Sequence, residues 1–116
     1  INDEMPGKIV CKIKTATQNI DGPRIVAIGA AYKANTADIR ESPSIEIVRL
    51  LRLEGYEVDH FDPLVDGMNF PATMTDACTN ADCLAILVEH ESILRELDQC
   101  EQDILNALNT PLVLRF

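Results

Sequence analysis

Apolar residues along this chain fall into short unbroken runs, separated by stretches in which they recur every three or four positions. Ile25-Val26-Ala27-Ile28, the run from Cys83 to Val88 and Leu112-Val113-Leu114 are the unbroken ones. Such runs suit strands covered on both faces, as in a parallel sheet. Residues 57–61 read as a further strand with Val58 and Phe61 turned inward, closed by Asp62-Pro63. Helical spacing is carried first by Met5, Ile9, Val10 and Ile13, which predicts a helix over residues 3–18 with Asp3 as cap and Pro6 in the first turn. Asp21-Gly22-Pro23 ends that segment in a turn. A second helix starts at Ser42-Pro43, has an apolar side made by Ile45, Val48, Leu51 and Leu53, and stops at Gly55. Residues 64–73 read as a loop and 75–80 as a short helix; 92–97 and 101–108 read as two separate helices before the Thr110-Pro111 break.

Strands alternating with helices predict an α/β fold, a three-layer Rossmann-like open parallel sheet with helices on both faces and right-handed crossovers. The sequence carries no internal repeat or low-complexity tract.

Composition narrows the function classes. The chain has 116 residues, enough for one core, with 47% apolar and 25% charged residues, as in a soluble globular protein. No apolar run approaches the roughly 20 residues of a membrane span, and no basic segment followed by an apolar stretch marks a secretory signal. The chain opens at Ile1 rather than Met, which reads as a piece of a longer protein or a processed product. A net charge of −9 argues against nucleic acid and anionic membranes as partners. The four cysteines, Cys11, Cys78, Cys83 and Cys100, form no C-x-x-C pair, and with two histidines no metal site is expected. None has a neighbouring base or a glycine-rich turn, so no catalytic cysteine is expected; unpaired thiols suit a reducing cytoplasmic setting. Cys83 reads as a small core residue.

The chemistry concentrates in the loop that follows Ile28. The segment Gly29-Ala30-Ala31-Tyr32-Lys33-Ala34 has one glycine where the dinucleotide fingerprint G-x-G-x-x-G has three, and about a dozen residues precede the next helix. That spacing argues against autonomous NAD binding here. Lys33 offers a mobile point charge and Arg40 a planar fork for a phosphate or carboxylate. From chemistry alone the plain reading stands beside it: Lys33 as a solvated cation, Arg40 paired with Glu41 or Asp38. Tyr32 suits either stacking on a base or packing in the core. His90 reads as a helix-start residue among acids, His60 as pointing outward beside Asp59, and Asp62 as fixing a turn. Glu96, Asp98, Glu101 and Asp103 read as a solvated face, and Arg115 as a frayed terminal cation.

The run AYKANTADIRESPSIEIV, followed by Gly55-Tyr56-Glu57-Val58 and Phe61-Asp62-Pro63, resembles the C-terminal domain of the UDP-glucose/GDP-mannose dehydrogenase family. Residues 1–6, Ala81-Asp82-Cys83 and Val88-Glu89-His90 extend the resemblance over nearly the whole chain. It implies that residues 1–20 are a helix leading in from a central domain and residues 21–116 the nucleotide-sugar-binding domain. It also implies an NAD-dependent oxidation of a nucleotide-diphosphate sugar (UDP-glucose, UDP-N-acetylhexosamine or GDP-mannose) at its 6-hydroxyl, to a carboxylate. NAD is then held mainly by an N-terminal domain, and the parent is a homodimer through the central domain. By resemblance Tyr32 and Lys33 touch the nucleotide sugar and Arg40 the cofactor. The family's catalytic cysteine and NAD fingerprint have no counterpart in this stretch, so it would bind and orient rather than react. The tight Arg40-Glu41-Ser42-Pro43 segment leans toward the UDP-N-acetylhexosamine branch. A non-catalytic binding or interaction module is the rival reading. A receiver-like domain fails because the acids it needs after its first and third strands are not there.

Overall fold

The computed structural model describes residues 5–116; the expected cap Asp3 lies outside them. Helix α1 (Met5–Thr17) leads to strand β1 (Arg24–Ile28), then α2 (Pro43–Leu53), β2 (Glu57–Phe61), α3 (Met74–Cys78), β3 (Cys83–Ile86), α4 (Glu91–Ala107) and β4 (Leu112–Arg115). All pairings are parallel, in the order β2-β1-β3-β4, with Ile28 level with both Phe61 and Ile86.

Period-two alternation divides the unbroken apolar runs between two helical layers. Ile25, Ala27, Cys83 and Ala85 face Val10 and Ile13 of α1 and Ile47, Val48 and Leu51 of α2. Val26, Ile28, Leu84 and Ile86 face Met74 and Ala77 of α3 and Ile93 and Ile104 of α4. The sheet is therefore buried on both faces, as its continuous apolar strands require. Phe61 is half-buried rather than inside, and packs against Phe70 with the rings tilted at 47° and 5.4 Å between centroids.

Local chemistry fixes the element ends. The Ser42 hydroxyl accepts from Ser44 N–H at 3.2 Å and donates to Ala31 O at 3.2 Å, so it caps α2 and ties down the preceding loop. Ser42→Ala is expected to lower stability by about 1 kcal/mol in thermal or urea unfolding; an unchanged midpoint would contradict this cap. Gly55, at φ +94°, ends α2 as expected.

Two readings are corrected. The stretches 92–97 and 101–108 belong to one element, α4, kinked at Cys100 (φ −116°, ψ 16°). No glycine or proline lies between them to stop the helix. Strand β3 ends at Ile86, not Val88, because β1 ends beside it; Leu87 N–H then turns to Ile28 O at 2.8 Å.

Candidate ligand site at the rim of the sheet

Because β2 and β3 flank β1, the residues just past all three strands meet at one rim. Gly29 comes first, at φ +106°. A side chain there would put its Cβ 2.6 Å from Val88 Cβ and 2.6 Å from Val88 N, so only glycine fits. Its N–H donates to Phe61 O at 2.8 Å. Its carbonyl accepts from His60 Nε2 at 2.8 Å, a contact that gives His60 a role other than the outward one expected. Burial lowers the His60 pKa, so the ring is neutral near pH 7 with its proton on Nε2.

Asp62 and His90 are fully buried. One carboxylate oxygen of Asp62 accepts from Ala30 N–H (2.8 Å), Ala31 N–H (3.1 Å) and His90 Nε2 (2.8 Å); the other accepts from Leu64 N–H (2.9 Å). Burial pushes the carboxyl pKa up. The N–H of Ala30, the His90 ring and the N–H groups of Leu64 and Ala31 together outweigh it and hold Asp62 below its ordinary value. The other ring nitrogen, His90 Nδ1, accepts from Asn35 N–H at 2.8 Å. That bond requires a lone pair on Nδ1, so Nε2 carries the proton donated to Asp62. Asp62 thus does more than fix a turn, and His90 is an interior residue rather than one set among surface acids.

The carboxylate also answers the question of a dinucleotide site. In a dinucleotide-binding Rossmann unit the N–H groups after the first strand face a pyrophosphate. Here Ala30 and Ala31 N–H face the chain's own Asp62, and the crevice between the loops after β1 and β3 is bridged by Asn35. The residues present do not fit NAD in that cradle.

On the loop of residues 32–41 Tyr32 is 55% exposed, which settles it as a surface residue. It borders a shallow depression of about 400 Å³ together with Asp38, Arg40 and Glu41. Arg40 makes a two-point pair with Asp38 (3.0 and 2.8 Å), as the plain reading had it, and its side chain remains 87% exposed. The hydrogen bonds of the Arg40 side chain and backbone N–H hold the Asp38 pKa down to about 2. Lys33 is exposed, does not line the depression, and makes no ion pair with any described residue. The structure thus brings Tyr32 and Arg40 together and leaves Lys33 free beside them.

Arg115 is not frayed: it pairs with Glu89. Glu96 is not merely solvated: it accepts from Met74 N–H at 3.0 Å, at the start of α3. Cys83 is a core residue, and burial pushes the thiol pKa of Cys78 and Cys83 up to about 12. No group of three or more His, Cys, Asp or Glu able to hold a metal occurs among the described residues. No helix among them is long and apolar enough to cross a membrane. A groove of about 340 Å³ between α4 and β4 is lined by leucines with Asp98 and Glu101. Its one cation, Arg115, is already paired, so it offers a diphosphate nothing.

A parallel sheet with a cation-bearing loop outside the carboxyl end of a central strand defines a Rossmann-like ligand-binding domain. Comparison with known proteins makes this specific. Residues 26–114 match the UDP binding domain of the UDP-glucose/GDP-mannose dehydrogenase family, and the chain belongs to that family. It is 38% identical over 96 residues to the UDP-N-acetyl-D-mannosamine dehydrogenase of Methanococcus maripaludis (strain C7), covering 79% of this chain and 22% of that protein. It is 32% identical over 124 residues to the UDP-glucose 6-dehydrogenase of Rickettsia typhi, covering 97% of this chain and 28% of that protein. The chain therefore spans about a quarter of the length of these relatives. Among solved structures it superimposes on the UDP-N-acetyl-mannosamine dehydrogenase Cap5O from S. aureus with a TM-score of 0.77 and 25% identity, covering 98% of this chain and 30% of that one.

Proposed function

We propose that this chain is the nucleotide-sugar-binding part of an NAD-dependent dehydrogenase that oxidises the C6 hydroxyl of a UDP-sugar to a carboxylate. Family membership supports the reading, and so do the names of the relatives, which are UDP-sugar dehydrogenases. The observation that carries it is Lys33: an exposed cation without an ion-pair partner among the described residues, on the rim loop, in a chain of net charge −9. An acidic protein that leaves one lysine uncommitted at that rim has a point charge for a diphosphate. Tyr32 adds an aromatic face for the base. Arg40, exposed beside Asp38, is assigned to NAD bound by another part of the protein, a role that rests on the family resemblance. We assign the sugar to the N-acetylhexosamine class, in line with the relative from M. maripaludis.

The chain would supply binding and orientation only. Its buried thiols, Cys78 and Cys83, have raised pKa values and so are not activated as nucleophiles. Calorimetric titration with UDP, UDP-N-acetylmannosamine, UDP-glucose and GDP-mannose tests the assignment. Binding of the UDP compounds is expected, weakened about tenfold by Lys33→Ala, the size of one charge-assisted contact. Equal affinity in the variant would remove Lys33 from the site.

A further inference from the structure

The rim loop bears the side chains proposed to meet the ligand, yet most of it is exposed. Residues 29–42 are tied at their ends by Ala30 and Ala31 N–H to Asp62 and by Ser42 to Ala31 O. Between those ends the ties to the rest of the fold come from Asn35. Its N–H donates to His90 Nδ1 at 2.8 Å, and its side-chain carbonyl accepts from Glu91 N–H at 2.9 Å. The second bond replaces the cap that His90, the residue preceding α4, does not provide with its own side chain. Asn35 adopts φ +62°, a left-handed conformation that asparagine tolerates better than most residues. Lys33 sits midway between the anchor at Ala31 and the anchor at Asn35. Both anchors end on the same buried pair, Asp62 and His90.

We propose that His90 and Asp62 are positioning residues for ligand capture, acting as a buried latch that sets the loop, and Lys33 with it, through Asn35. Only the last step, ligand capture, rests on the functional reading above. His90 is suited to this because its two nitrogens do opposite things: Nε2–H donates inward to Asp62 while Nδ1 accepts outward from the loop. A residue with one polar end satisfies Asp62 or the loop, not both. Ordering a free loop costs backbone conformational entropy. A loop set in advance spares the ligand that cost, and affinity rises accordingly.

The test uses the whole 116-residue chain, labelled with nitrogen-15. Correlation spectra of the imidazole nitrogens are expected to show His90 as the Nε2–H tautomer. The Asn35 amide is expected to exchange with solvent more slowly than those of Lys33 and Ala34. His90→Gln keeps a donor for Asp62 and removes the acceptor at Nδ1. It is expected to speed Asn35 exchange about tenfold, leave Val26 and Leu84 amides unchanged, and weaken UDP binding about tenfold. Asn35→Gly leaves the buried pair intact and keeps the left-handed backbone, so it folds even if the histidine variant does not; a severalfold weakening of UDP binding is expected. An Nδ1–H tautomer, or an Asn35 amide exchanging as fast as its neighbours, overturns the latch. Normal UDP affinity in both variants overturns its role in capture. Failure of the unsubstituted chain to bind UDP overturns the functional reading and the capture step together, while exchange and tautomer still decide the latch.

Discussion

Asp62→Ala is expected to destabilise the fold by about 4 kcal/mol or more, at about 1 kcal/mol or more for each buried donor left unsatisfied. The substitution leaves four donors without their acceptor: Ala30, Ala31 and Leu64 N–H and the His90 ring. No described buried side-chain polar atom lacks a partner in the native fold, so the loss falls on a network that is complete. Urea unfolding measures it; a loss under about 1 kcal/mol would show that water takes over the carboxylate's bonds. The same residue gives the fold an acid limit. Its folded pKa lies below the ordinary value, so its contribution is complete above the unfolded pKa, about 3.9, and is lost as pH falls through the folded one. Asp62→Asn is expected to flatten stability against pH in that acid range.

Gly29→Ala is the second large effect, about 3 kcal/mol or more, from backbone strain at positive φ together with overpacking. The new methyl would lie 2.6 Å from a backbone nitrogen and a Cβ of Val88, neither of which can swing aside. Gly55→Ala separates the two causes. Gly55 has φ +94° but nothing within 4 Å of an added Cβ, so it carries the strain alone and is expected to cost about 1 kcal/mol. Equal losses at both positions in thermal unfolding would remove the Val88 contact from the explanation.

The layers of the fold were legible in the sequence because buried parallel strands leave an unmistakable mark: Ile25 to Ile28 has no polar position to turn outward. Helix α2 was legible because Ser42, Pro43 and Gly55 each have a local reason to stand where they do. The rim network was not, because Asp62, His90 and Ala30 are joined only by strand order. Knowing that β2 and β3 flank β1 is enough to bring the residue after β2 and the turn after β3 together over β1. Without that order His60 reads as an outward residue and His90 only as a helix-start residue among acids. Helix α4 was split because the polar stretch Asp98-Gln99 reads as a gap, whereas a helix needs an apolar residue only once per turn on one side. At the site itself, the cations and the aromatic ring could be assigned to the loop after β1 from the sequence alone. The sequence left open whether Arg40 pairs with Asp38, a two-residue contact that turns on loop conformation alone.

That a nucleotide diphosphate is received at the rim loop, with Lys33 as its counter-charge, is tested most directly by mapping amide shifts as UDP is added to the labelled chain. The account predicts the largest changes between Ala31 and Glu41, lost in Lys33→Ala. Changes confined to the groove between α4 and β4, or none at all at saturating UDP, would contradict it.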